Sequence, residues 1–313
     1  MFFKNAIFYR ITGDLDITTE QLTEKLQEQV FTPCGSQDLS RYGWTDPTQG
    51  LTDQLAQTVH GFHLISTRKE EKILPSVVVK QAVEEKVRVI QRDQARKVYR
   101  KERDQIKDEV ILDLLPRAFS KYQITHALIA PQQGWLIVDA SSHKRAEELL
   151  SYLRGTLGTL PVQLPDVKHA PSAIMSQWVE GADNRPADFN ILDEAELRDN
   201  LVEGGVVRIK GQELQDEEYI AHLEAGKRVV KLAVEWEEAL RFILQEDLTI
   251  KRIKLTDQMK EKMDQESPED QLAQFDADLA QMGIEFTRVF PQLIEAFGGL
   301  AEAPESAQET ANV

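Results

Sequence analysis

A single cysteine, Cys34, among 313 residues excludes an internal disulfide and any site built from several thiolates, and suits a reducing cytoplasm. It lies in a Pro-Cys-Gly loop with no base nearby to lower its pKa, so a nucleophilic role is not expected. The chain has no apolar run of about eighteen residues, and Met1-Phe2-Phe3-Lys4-Asn5 is apolar for only three; neither a signal peptide nor a membrane span is expected. The closest approach to a phosphate-binding loop, Gly226-Lys227-Arg228, lacks the earlier glycine and the hydroxyl residue. His60 and His63 lie in a strand-like segment, where a separation of three puts side chains on opposite faces and makes a poor metal pair. The many acids show no spacing tied to metal-assisted phosphodiester cleavage, so the sequence offers no active site, metal or cofactor. Zinc-finger spacings, RNP-type aromatic strings and a helix-turn-helix are missing. Aromatics make up 7% and occupy core-like positions, which argues against stacking on single-stranded bases.

With 41% apolar and 29% charged residues, the composition is that of a soluble globular chain, long enough for one large domain or two to three small ones. Its net charge is −16, yet Lys80 to Lys107 holds ten Lys/Arg against five Asp/Glu. Arg88, Arg92, Arg96, Arg100, Arg103 and Lys107 recur at helical spacing, so one long helix would carry a continuous basic stripe. On that helix Val79, Val83, Val87 and Ile90 make a packed first half. The same face continues through Gln94, Lys97 and Lys101, which predicts a second half projecting toward solvent or a partner. Positive charge gathered in one place on an acidic protein points to a polyanion, held through its backbone and without sequence readout. The alternative is a solvated helix face laced by ion pairs with Glu84, Glu85, Asp93, Glu102 and Asp104.

Along the chain, Lys4–Ile11 reads as a strand, and Thr18–Val30 as a helix opened by a capping box of Thr18 and Gln21. Gly61–Thr67 and Glu71–Leu74 read as paired strands about the polar turn Arg68-Lys69-Glu70. After the basic helix, a second helix is expected over about Asp104–Leu115. Lys121–Ala130 and Gly134–Ala140 form an expected hairpin, followed by an amphipathic helix over Ser141–Leu157. Residues 172–202 suggest two short helices around a loop at 181–186. Val206–Ile209 reads as a strand, 215–224 as a helix and Lys227–Asp257 as a three-strand meander. From Thr256 onward thirteen acids face three bases, with helical apolar patches at Leu272, Phe275, Leu279, Met282 and at Phe286, Val289, Leu293.

Several strings are more specific than any composition: Phe31-Thr-Pro-Cys-Gly-Ser-Gln-Asp38, Arg68-Lys-Glu-Glu-Lys-Ile-Leu-Pro-Ser76, Leu114-Leu-Pro-Arg-Ala-Phe-Ser120, Leu192-Asp-Glu-Ala-Glu-Leu197 and Glu224-Ala-Gly-Lys227. Together with Phe3-Lys4-Asn5 and a Gln-Ala-Arg string near position 95, they resemble the bacterial recombination-associated RdgC family over roughly residues 1–300. The resemblance implies an α+β fold of antiparallel sheets with packed helices, in an elongated subunit of several regions that closes into a ring as a homodimer. Such a ring binds double-stranded DNA without sequence preference and limits the access of RecA recombinase to DNA. It has no enzymatic activity, cofactor, membrane contact or small-molecule substrate, and its place is the cytoplasm, on the nucleoid. Phe119 would be a dimer contact, and Arg208, Lys210 and Gln212 a basic finger tip weakened by Gly211. The apolar patches of 272–293 are a candidate for the second dimer contact that a closed ring needs. The expected DNA-binding set is Arg88, Arg92, Arg96, Lys97, Arg100, Lys101, Arg103, Lys107, Arg117, Arg208, Lys210, Gln212 and Lys227.

The implied regions are an N-terminal α+β part (1–75), a projecting basic helical part (76–118) and a further α+β part (119–180). A helical segment, basic hairpin and meander (181–257), an acidic helical part (258–300) and a disordered tail (301–313) follow. The rival reading is an acidic protein-interaction scaffold without direct DNA binding, with a nuclease a distant third.

Overall fold

The apolar start of the chain forms β1 (Asn5–Ile11) in a computed structural model that describes residues 2–15, 17–199, 204–265 and 268–301. The capping box is made: the Thr18 hydroxyl accepts from the Gln21 backbone N–H at 3.3 Å, and the Gln21 side chain accepts from the Thr18 N–H at 3.1 Å. It opens α1 (Thr19–Gln27), which ends earlier than the apolar pattern suggests. Then come β2 (Ser40–Thr45), β3 (Ala56–Val59), β4 (Phe62–Ile73), α2 (Ser76–Gln94) and α3 (Arg100–Leu114). A 3-10 turn at Leu115–Arg117 leads into β5 (Phe119–Ala130), β6 (Trp135–Val138), α4 (His143–Leu157) and β7 (Val162–Gln163). The remainder is α5 (Pro171–Val179), β8 (Phe189–Arg198), β9 (Val206–Lys210), α6 (Glu217–Glu224), β10 (Arg228–Trp236), β11 (Leu240–Gln245), β12 (Ile250–Leu255), α7 (Asp257–Gln265) and α8 (Gln271–Ala296).

The strands form one antiparallel sheet in the order β2-β4-β5-β6-β1-β12-β11-β10-β8-β9, with β3 added to β4 and β7 to β1. The α+β class is therefore present. β1 is its seam. Asn5 and Ala6 pair with Lys251 and Ile250 of β12, and Ile7 to Arg10 pair with β6. Alternation along β1 puts Ala6 and Phe8 on one face and Ile7 and Tyr9 on the other, and all four are buried. The first face meets α5 and α8, where Phe8 stacks on Phe290 with ring centroids 4.0 Å apart. The second meets α1 and α4 through Leu22, Leu26, Leu149, Leu150 and Leu153. Gly283 of α8 is a requirement of this packing, because a Cβ there would come within 2.6 Å of the Phe62 ring.

Three expectations fail here. Residues 61–74 are not a hairpin: β4 is one twelve-residue strand, and Arg68-Lys69-Glu70 lies in mid-ladder between β2 and β5. Both neighbours satisfy its backbone, while Arg68 lies over the rings of Phe31 and Tyr122 at 5.0 and 4.4 Å. The second helix expected within 172–202 is the strand β8, where Glu194, Glu196 and Arg198 alternate with the buried Ala195 and Leu197. Apart from the exposed Ile284 and the half-buried Leu272, the large apolar side chains of 272–293 belong to the core, with Leu279, Met282, Phe286 and Val289 each 1% exposed. They are not open to a second copy. The tail expected to be disordered lies, from residue 302 on, outside the described residues.

Candidate nucleic-acid interface

The basic stretch is a helical hairpin, not the continuous helix its spacing predicts. α2 stops at Gln94, Ala95 takes a left-handed conformation (φ 47°), and α3 begins at Arg100 behind an extended Tyr99. A left-handed alanine costs about 1–2 kcal/mol, so something must offset it. The apolar face of α2 gives out after Ile90, and a continued helix would have nothing to pack. Folding back brings Ile106 and Val110 of α3 onto Val79, Val83 and Val87 in a small separate core. The second helix accordingly starts four residues before the expected Asp104.

The reversal divides the stripe. Arg88 and Arg92 lie on α2, Arg96 and Lys97 in the connection, and Arg100, Lys101, Arg103 and Lys107 on α3. Some are tied to acids: Arg92 to Asp93 at 2.8 Å, Arg96 to Glu102 at 2.7 Å, and Arg103 to Glu84 at 3.2 Å. Hydrogen bonding from Arg96 holds the Glu102 carboxyl below its ordinary range. Arg88, Lys97, Arg100, Lys101 and Lys107 are exposed and make no ion pair among the described residues. The hairpin thus mixes ion-paired positions with unpaired ones. Tyr99, 74% exposed at the turn, was not singled out by sequence because aromatics elsewhere mark the core.

At the foot of the hairpin Arg117 is exposed in the 3-10 turn, and Phe119 is 83% exposed at the start of β5. Phe119 is therefore not a core aromatic. A cleft of about 620 Å³ opens nearby, walled by Leu74, Val79, Val83 and Ile111 and edged by Lys80, Arg103 and Lys107.

Arg208 and Lys210 are exposed on β9, and Gln212 follows Gly211 (φ 68°) just beyond it. They lie at the end of β9 away from its connection to β8, because Lys210 pairs with Glu194 and Val206 with Arg198. The finger tip expected here is accordingly the edge of a sheet and the turn after it. Lys227 is 16% exposed in its side chain and 3.8 Å from Asp199, which leaves little of it for a polyanion. Sequence reasoning missed Arg198 and Lys231, which meet Arg208 around the buried Glu196. Reading 187–202 as helical hid the period-two alternation that would have found them.

Among the described residues no cluster of His, Cys, Asp and Glu could hold a metal ion, and no helix is long and apolar enough to cross a membrane. His63 bonds Thr58 at 2.9 Å within the β3–β4 hairpin, and His60 lies in its turn. Burial, and then the nearby Glu70 and Asp38 carboxylates, push the Cys34 thiol pKa up, against any use as a nucleophile.

Residues 1–300 match the model of a protein family described as "Putative exonuclease, RdgC". A protein of Pseudomonas fluorescens (strain Pf0-1) is 46% identical over 306 residues, covering 97% of this chain and 99% of its own. One of Pseudomonas aeruginosa (strain PAO1) is 46% identical over 300 residues, covering 96% and 98%. One of Shewanella loihica is 43% identical over 303 residues, covering 97% and 100%. Each of the three is named "Recombination-associated protein RdgC".

Proposed function

The chain belongs to the RdgC family, and from that premise we propose that it is a non-enzymatic homodimer that closes around duplex DNA as a ring, binds it without sequence preference and limits RecA's access to it. One observation carries the reading: a chain of net charge −16 presents, among the described residues, six exposed cations without an ion pair, Lys80 joining the five above, on and around one helical hairpin that stands on its own small core. Those cations suit phosphates, which position a duplex without reading its bases. Arg92, Arg96, Arg103 and Arg117 flank them, and Arg208, Lys210 and Gln212 add a second exposed group.

The dimer reading is supported by Phe119. A two-fold contact needs a surface complementary to itself, and an exposed aromatic close to an apolar-walled cleft provides both a knob and a hole. The ring needs a second contact, which the buried patches of 272–293 do not supply. The family's description names a putative exonuclease, whereas its relatives' names give an association with recombination and no catalysis; the non-enzymatic reading follows the latter. Its place in the cell would be the cytoplasm, on the nucleoid.

Binding to duplexes of arbitrary sequence in rising salt tests the proposal. Affinity that is equal across sequences and abolished by salt is expected, with slower escape from circular than from linear duplex of equal length, because ends let a closed ring slide off. Salt-insensitive or absent binding would favour a protein-interaction scaffold, and cleavage of labelled DNA in magnesium would restore a nuclease.

A further inference from the structure

On the solvent face of the sheet, where β8, β9 and β10 run side by side, three cations converge on one carboxylate. Glu196 accepts hydrogen bonds from Arg198 Nη2, Arg208 Nε and Lys231 Nζ, each at 3.0 Å. Register builds the arrangement. Glu196 is the ladder partner of Arg208 on β9 and of Lys231 on β10, so the three side chains form one rung, and Arg198 lies two residues along β8 on the same face. The carboxylate is at the bottom: its side chain is 7% exposed, against 76%, 48% and 37% for Arg208, Arg198 and Lys231. Burial opposes its ionisation, but the hydrogen bonds from Arg208, Lys231 and Arg198 prevail and hold it at about 2. Arg198 also comes within 4.0 Å of Glu246.

A buried carboxylate needs a single cation to be tolerated. Three over-compensate it, leaving positive charge in excess and fixed in position. Arg208 spends only its Nε on Glu196, so both terminal nitrogens of its guanidinium remain for an incoming anion. Beside the rung a cleft of about 290 Å³ is bounded by Lys210 and by Arg252, the latter paired with Glu194.

We propose that Glu196 is a positioning residue that presents Arg198, Arg208 and Lys231 as a preorganised site for the phosphates of a nucleic-acid backbone, on the sheet and distinct from the helical hairpin. The inference rests on the duplex-binding reading above. Long cationic side chains lose rotamer freedom on meeting a phosphate; here a carboxylate beneath them has already imposed that order.

The test turns on sign. Glu196→Gln and Asp193→Asn each remove one negative charge from β8, and a general electrostatic effect would tighten DNA binding in both. Positioning predicts the reverse for Glu196→Gln alone: about three- to ten-fold weaker binding of a fluorescent 30-base-pair duplex, with the salt slope flattened by about 1 to 2 units. Asp193→Asn, at an exposed residue, should bind as well as the wild type or better. Glu196→Gln binding as tightly as Asp193→Asn overturns the site. If Glu196→Gln lowers the melting temperature enough to blur the comparison, Arg198→Gln and Arg208→Gln replace it, and unchanged slopes in both overturn the site equally. Tripolyphosphate affinity that falls in Glu196→Gln while duplex affinity holds would overturn the nucleic-acid assignment. A wild-type chain that binds no duplex overturns the proposed function and this site together, whereas wild-type binding with an unaffected Glu196→Gln overturns this site alone.

Discussion

Phe119 and Ile73 are ladder partners at the open end of the β4–β5 pair, and both side chains reach into solvent, at 83% and 45% exposure. Two large apolar side chains opposite one another at a strand end gain little from folding one chain. They gain if a second surface covers them.

Phe119→Ser should therefore shift the monomer–dimer equilibrium toward monomer, read by sedimentation, while the melting temperature of dilute protein changes by only a few degrees. Surface substitutions usually alter stability by about 0.5 kcal/mol or less. Loss of the thermal transition would show that Phe119 supports the fold itself.

The hairpin charges can be tested where they are unpaired. Changing Lys97, Arg100 and Lys101 together to Gln should flatten log affinity against log salt by about 2 to 3 units, near 0.9 for each phosphate no longer neutralised. Arg96→Gln is the less informative change, because it also releases Glu102 from its ion pair. The control removes Lys144, Arg154 and Lys168, all exposed and outside the hairpin, at identical net charge. Equal losses in both triple variants would reduce the hairpin to a solvated face.

Acid should destabilise the fold in two stages. His126 is buried with Nδ1 2.5 Å from the Ser66 hydroxyl, and burial, with the nearby Arg145 adding, lowers its pKa from 6.5 to about 4. Between those values the unfolded chain binds a proton that the folded chain refuses. The stabilisation is complete above 6.5 and declines as pH falls toward 4, by about 3 kcal/mol. His63, lowered in the same direction by burial, adds to that window. Glu196 acts below it, because its contribution is present above 4.5 and is lost as pH falls toward about 2. Urea midpoints between pH 8 and pH 3 should fall in that order, and His126→Gln should flatten the upper stage. A midpoint constant from pH 7 to pH 4.5 in the wild type would contradict the assignment.

Local chemistry was legible in the sequence where it decides the outcome. The Thr18–Gln21 box, the apolar stripe of α4 and the meander of β10 to β12 all formed near their expected places. Long-range pairing was not legible. Arg68-Lys69-Glu70 has the composition of a turn, and only the strands on either side keep it extended. The helix-forming Asp193-Glu194-Ala195-Glu196-Leu197 is held as a strand by β9 and β10. The reversal after α2 occurs at an alanine, with neither glycine nor proline to announce it. Charge clustering thus found the basic hairpin, but cross-strand register alone assembles the cations around Glu196.

The seam strand β1 sets a timetable for the nascent chain. Its residues Asn5 and Ala6 are closed on one side only by Lys251 and Ile250, some 245 positions later. At about 5 to 20 residues per second, a ribosome needs on the order of ten to fifty seconds between making the two. Through that interval the edge at Asn5 and Ala6 stays open and the Phe8 face lacks α8, so the emerging N-terminal half carries an unpaired strand edge and an uncovered apolar face until synthesis is nearly complete.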